Sequence, residues 1–217
     1  MEKYAVSSLV KEVKVILDRN QETAELLPDD TDTLTQGELI KNVIVDAAKA
    51  IEERAPTEKL DALKTSTEKA TWTVNKGKYV GVLKLQSDIL RVVGVKASDW
   101  QRPGFIITEN DEAYLYQSNE YVRGNSQRPV AVLAHSQGKR QLELYTSDSS
   151  SVTVDMSYIP VPSINNGTVE ICSLLKDAIV YMAAYLSCVS LGDAQAASGY
   201  IATAYQLAGI DVEPSQT

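Results

Sequence analysis

Apolar residues near the start of the chain recur at helical spacing. Val6, Leu9, Val10, Val13, Ile16 and Leu17 share one stripe, and Lys11, Glu12, Lys14 and Asp18 fill the opposite face. The spacing predicts an amphipathic helix from Tyr4 to about Arg19. Pro28 with Asp29, Asp30 and Asp32 then breaks the period and predicts a loop. Thr35-Gln36-Gly37-Glu38 has the form of a capping box, in which the threonine oxygen accepts an otherwise unused amide proton and the glutamate reaches back. It opens a second predicted helix, with Leu39, Ile40, Val43, Ile44, Ala47 and Ile51 on one face, which ends before Pro56.

Between Tyr79 and Tyr158 the helical period disappears. Short runs rich in β-branched and aromatic residues take its place: Tyr79–Leu83, Ile89–Val93, Gly104–Thr108, Glu112–Tyr116, Pro129–Leu133, Gln141–Tyr145 and Ser151–Asp155. Asn110-Asp111, Gly124-Asn125, Gln137-Gly138-Lys139 and Ser147 to Ser150 separate them as turn signals. Closely spaced short strands predict an antiparallel sandwich or barrel. Pro160 and Pro162 cannot donate to a ladder, so the β-region is expected to stop there. Two more helices are predicted, one from about Val169 to Leu191 and one from Asp193 to about Leu207, divided by Gly192. Lys176 and Asp177 interrupt the most apolar stretch, Ile171 to Leu191, which marks it as a core helix and not a membrane span.

The predicted fold is therefore α+β. A helical bundle from the N- and C-terminal helix pairs, residues 1–70 plus 163–217, would carry an inserted antiparallel β-sandwich or barrel-like domain at 71–162. The last residues, Asp211 to Thr217, are polar and expected to form a loose tail.

Composition changes this picture only in what it excludes. With 217 residues, 44% hydrophobic and 23% charged, the chain can bury a sizeable core. A formal net charge of -8 argues against specific binding of nucleic acid, which needs a basic face. The same acidity is compatible with DNA passing nearby, because it repels phosphate. Cys172 and Cys188 have no metal-site spacing and are expected to be buried thiols in a reducing compartment. Met1-Glu2-Lys3-Tyr4 has no apolar core behind a basic start, so secretion by the usual route is not expected.

Catalytic chemistry finds little to build on. His135 is the single histidine, and its neighbour Ser136 would point to the opposite face of a strand. Asp29, Asp30 and Asp32 do not fit a calcium loop, whose sixth position must be glycine; counting from Asp29 or Asp30 places Leu34 or Thr35 there. Neither GxxxxGK[ST] nor GxGxxG occurs. The expectation is a protein that is not an enzyme, with no catalytic, metal or cofactor residues. Tyrosine is abundant, at 11 copies against one phenylalanine, and suits contact surfaces because a large ring ends in a polar tip. Trp72 and Trp100 leave an alternative open, a carbohydrate- or small-ligand-binding module in which they serve as stacking platforms.

The order of several segments is similar to that of a known family. These are Asp32-Thr33-Leu34 with the helix Ile40 to Arg54, Leu85-Gln86-Ser87-Asp88-Ile89-Leu90-Arg91-Val92-Val93-Gly94-Val95, Trp100, Tyr116-Gln117, Arg128-Pro129-Val130, Tyr158-Ile159-Pro160-Val161-Pro162, and Leu191-Gly192-Asp193-Ala194-Gln195-Ala196-Ala197. In this order the chain resembles the head-to-tail connector (adaptor) proteins of tailed bacteriophages, closest to the tail-tubular or ring adaptors of short-tailed and crAss-like phages. Gln86 and Ile89 depart from the pattern, standing where that family usually has proline and phenylalanine. The resemblance implies a virion protein of the phage neck, made in the host bacterial cytoplasm. It implies copies assembled in a ring, commonly of twelve, that join the portal protein to the next tail or ring protein. Double-stranded DNA would pass through the channel without specific binding, and no membrane would be involved. Subunit contacts are expected from the helical bundle, and contacts with the portal or next ring from the β-domain or C-terminal tail.

Overall fold

The structure, a computed structural model, describes residues 2–17, 36–61 and 63–211. In chain order the described elements begin with β1 (Glu2–Ala5), α1 (Val6–Ile16) and α2 (Gln36–Arg54). Then follow β2 (Lys64–Lys69), β3 (Thr71–Asn75), β4 (Lys78–Lys84), β5 (Ile89–Ala97) and β6 (Phe105–Thr108). A short helix α3 (Glu112–Tyr116) precedes β7 (Val130–Ser136), β8 (Lys139–Ser147) and β9 (Thr153–Pro160). The chain closes with β10 (Ile164–Asn165), β11 (Thr168–Ile171), α4 (Lys176–Ser190) and α5 (Ala194–Ala208). The strands form three sheets, ordered β1-β11-β10, β2-β9-β5 and β3-β4-β8-β7-β6. The chain divides into two units, Met1–Leu63 with Val161–Thr217, and Lys64–Pro160.

The expected helical bundle of terminal helix pairs is corrected. The protein is mostly β-sheet, about 34% strand in three sheets, and its helices are few and short. In the terminal unit Tyr4 lies in β1, paired with Val169 of β11, and the first helix starts only at Val6. Val169 and Ile171, expected to open a helix, alternate inward along a strand instead. The reason is the turn at Asn166-Gly167, where both residues have positive φ (50° and 73°), as a two-residue hairpin of the type favoured by Asn-Gly requires. That turn folds β11 back on β10, so the prolines at 160 and 162 do not end the β-structure. Where helices do form, the burial follows the predicted stripes: Val6, Leu9 and Val13 of α1, and Ile40, Ile44, Ala47 and Ile51 of α2. Both α2 and α5 pack on α4, whose Ala183 and Ala184 permit close approach. Ser173–Ser190 is long and apolar enough to cross a membrane by composition, yet half of it is buried inside this unit.

Two helix ends obey local chemistry. After α4 the amides of Gly192 and Asp193 bond the carbonyls of Val189 and Cys188, with Gly192 at φ 77°. After α5 Gly209 and Ile210 bond Gln206 and Tyr205 in the same way, with Gly209 at φ 70°. Both are Schellman endings, in which a left-handed residue lets two orphan carbonyls find donors. The predicted acidic loop at Asp29, Asp30 and Asp32, the Thr35 cap and most of the polar tail lie outside the described residues.

The unit Lys64–Pro160 buries Leu83, Ile89, Val95, Trp100, Leu142, Leu144, Val154 and Met156 in one cluster. The expectation of a purely antiparallel insert is also corrected, because β6 runs parallel to β7. A parallel pair needs a crossover, and α3 lies in it. Glu112–Tyr116 was expected as a strand. Asp111 caps it as a helix by accepting the Ala113 amide proton at 3.0 Å. Five residues are too few for periodicity to separate the two states. The polar strand β2 carries no apolar signal at all, and only its pairing with β9 makes it a strand.

Candidate functional site

The crossover from β6 to β7 is where this unit devotes buried polar groups to the shape of a loop. Gln117, 5% exposed, donates through Nε2 to the Ala113 carbonyl at 3.0 Å and accepts the Gly124 amide proton on Oε1 at 2.9 Å. Arg123, 6% exposed, donates through Nη2 to the Asn75 carbonyl at 2.9 Å. That carbonyl begins the β3–β4 turn, which Lys76 and Gly77 make with positive φ. Gly124 has no room for a side chain, since an added Cβ would stand 2.8 Å from the Tyr145 carbonyl oxygen. Further contacts fix the loop from within. Asn119 Oδ1 accepts from the Tyr121 amide at 3.0 Å, and Ser118 Oγ donates to the Leu115 carbonyl at 2.8 Å.

What this scaffold presents is apolar. Tyr121 is 88% exposed and Leu115 73%, with Tyr116 and Val122 also exposed. Four such side chains on one short, internally bonded segment resemble a contact surface more than scattered exposure does. α3 itself is held to the sheet by Tyr114, which packs with Ile107, Val132 and Tyr145. The hydroxyls of Tyr114 and Tyr145 both donate to Glu143 Oε2, at 3.3 and 3.0 Å. Burial and the Glu143 carboxylate push both phenols above their ordinary range.

A second feature lies at the start of β6. Arg102, Pro103, Gly104, Phe105, Arg128, Pro129 and Val130 line a recess of about 430 Å³, and Phe105 is 70% exposed. Among the described residues, neither Arg102 nor Arg128 has an ion-pair partner. Gly104 sits against the Trp100 ring, where a Cβ would meet Cζ3 at 2.7 Å, so this corner is set by the indole beneath it.

In the terminal unit Glu52 is buried on α2 and takes the Cys172 amide proton at 2.8 Å, with a further hydrogen bond from the Cys172 side chain. Burial dominates over these bonds and pushes the carboxyl up to about 7. Asp61 takes the next amide, Ser173, at 2.9 Å. The two carboxylates thus hold the turn from β11 into α4. A groove of about 760 Å³ in this unit runs beside α1 and α2, with Val6, Val10 and Val15 in its lining and Lys11, Lys14 and Lys41 around it.

The residues considered from sequence are not brought together. His135, at the end of β7, is half exposed, with its Nδ1 3.0 Å from Glu109 Oε1 and its amide on Oε2. Those bonds hold the Glu109 carboxyl below its ordinary range. Cys172 and Cys188 are both buried and form no disulfide. Trp100 is buried with Nε1 on the Thr146 carbonyl at 3.0 Å, while Trp72 lies over Gly81 with Nε1 on the Val152 carbonyl at 3.2 Å. Both indoles serve the same core cluster, and Trp100 offers no stacking face. Among the described residues no group of three His, Cys, Asp or Glu is placed to hold a metal ion. Sequence reasoning missed Gln117 and Arg123, because polar side chains inside a turn-rich stretch give no sign of burial. Gly124 was legible only as turn punctuation. The chain matches no protein-family model and no curated protein.

Proposed function

We propose that this chain is a structural virion protein of a phage neck, a ring subunit that joins the portal to the next tail or ring protein around the DNA channel. The observation that carries the reading is the crossover between β6 and β7. Buried Gln117 and Arg123 stiffen a segment whose outward side chains, Leu115, Tyr116, Tyr121 and Val122, are apolar. A rigid apolar surface loses little conformational entropy when covered, which is how a protein built for contact gains affinity. The partners proposed, further copies, commonly twelve, the portal, and the next ring, are those implied by the resemblance of the chain's segment order to phage connectors. A net charge of -8 suits a channel wall along which DNA slides without adhering. Contacts are assigned to the β-unit, since the helical bundle on which they were first expected is not what the chain forms.

Electron microscopy of the purified protein, alone and mixed with phage portal particles, tests this. The expected result is rings, or a collar added beneath the portal, from which the subunit number can be read. Particles that stay monomeric and leave the portal bare would overturn it.

A further inference from the structure

The groove of about 760 Å³ in the terminal unit is built by two helices and a turn. Along α1, Val6, Val10 and Lys14 follow one another at intervals of four residues, and Ser7, Lys11 and Val15 form the neighbouring row. Such rows stand on a helix face as adjacent ridges with a furrow between them. Gly37 and Lys41 line the groove from α2. Backbone fixes the start of α1, since the Val6 amide donates to the Gly167 carbonyl at 2.9 Å, in the turn between β10 and β11. Val15 remains 63% exposed.

The charge of this groove is unbalanced. Lys11, Lys14 and Lys41 surround its valines, and among the described residues none of the three has an ion-pair partner. Nearby acids are already engaged: Glu12 of α1 pairs with Lys176 at 2.7 Å, and Glu38 has an interaction of its own. In a chain of net charge -8, an unneutralised lysine cluster over apolar side chains runs against the overall balance. The first turn of α2 adds to it, because the first four amides of a helix lack acceptors within it and carry partial positive charge. Gln36, which opens that turn next to Gly37, is 3% exposed, and its Nε2 has no hydrogen-bond partner. A buried donor left unpaired is rare and costly, and a carboxylate or carbonyl oxygen is the group that satisfies it.

We propose that this groove takes an acidic peptide segment of another protein, one with apolar side chains along one side and carboxylates beside them. Its apolar side meets Val6, Val10 and Val15, and its carboxylates meet the three lysines and the opening of α2. An amphipathic helix laid in a groove is a recurring way for one protein to hold a segment of another. Opposite charge across the contact selects the partner and speeds its arrival. The proposal stands apart from the neck reading, because it concerns the terminal unit and its test needs no portal.

The test uses the full chain and a fluorescein-labelled amphipathic peptide of about 18 residues, with leucines along one side and glutamates on the other. Fluorescence anisotropy is expected to show it binding the wild type roughly 10-fold or more tightly than a glutamine version, a difference that shrinks as salt is raised. Lys11→Glu with Lys41→Glu should weaken the glutamate peptide roughly 10-fold or more and favour a lysine version instead. Val15→Ser, at an exposed position, should weaken the glutamate and glutamine peptides alike. Unchanged near-ultraviolet circular dichroism would establish that the variants fold. Amide resonance shifts confined to Val6–Val15 and Gly37–Lys41 would place the peptide in the groove. No binding to the wild type, equal binding of the glutamate and glutamine peptides, or binding that neither variant weakens would overturn the proposal. Residues 18–35 join α1 to α2 in sequence, lie outside the described residues, and include Glu22, Glu25, Asp29, Asp30 and Asp32. With these five changed to their amides, binding of the uncharged glutamine peptide that tightens roughly 10-fold or more would make the chain's own segment the occupant and overturn the proposal. Unchanged affinity supports an outside partner.

Discussion

Arg123 Nη2 donates to the Asn75 carbonyl oxygen at 2.9 Å, although 48 residues separate them. The bond joins a crossover loop to the turn of a hairpin, so the loop's position depends on the sheet edge it grips. A hydrogen bond from a charged group is worth about twice a neutral one and contributes about 1.5–3 kcal/mol, and Arg123 makes it from a buried position. Arg123→Met should therefore lower stability by about 1.5–3 kcal/mol in urea denaturation. Amide exchange should quicken between residues 117 and 124 and remain slow in β9. Equal quickening throughout the unit would mean that Arg123 serves the fold as a whole and not this loop.

Glu52 should make the protein less stable as pH rises. Its carboxyl is raised by burial from 4.5 to about 7, so between those values the folded state holds a proton that the unfolded chain has released. The group does not oppose folding below pH 4.5, and its cost grows until the folded carboxyl ionises near 7, reaching on the order of 3 kcal/mol. Glu52→Gln keeps an acceptor for the Cys172 amide and removes the charge. Denaturation at pH 5 and pH 8 should show the variant close to wild type at the lower pH and more stable at the higher. Parallel pH profiles for the two proteins would rule out this role.

Two glycines should respond oppositely to alanine. At Gly124 a Cβ would meet the Tyr145 carbonyl at 2.8 Å and the Val130 amide at 2.9 Å, both backbone, which cannot move aside. Gly124→Ala should cost about 1–3 kcal/mol. Gly199, within α5, has nothing within 4 Å of the same position. Gly199→Ala should gain about 0.5–1 kcal/mol by reducing the freedom of the unfolded chain and favouring the helix. Thermal midpoints of the two variants, measured side by side, give the signs directly.

What the sequence determined by itself was local. The stripe Val6, Leu9, Val13 and the face Ile40, Ile44, Ile51 are buried where helical spacing put them, because a one-sided helix has only one way to hide its apolar side. Gly192 ended α4 for a reason carried by a single residue, its tolerance of positive φ. The same locality failed where pairing decides. Lys64–Lys69 is a strand only because β9 lies beside it, and Val169 is in a strand because the Asn166-Gly167 turn returns it to β10. The candidate surfaces belong wholly to the tertiary level. Nothing in the identity of Gln117 or Arg123 announces burial, and nothing in the sequence joins Arg123 to the Asn75 carbonyl. Those relations arise from which strands pair, and strand pairing depends on contacts between residues far apart in sequence, which periodicity does not record.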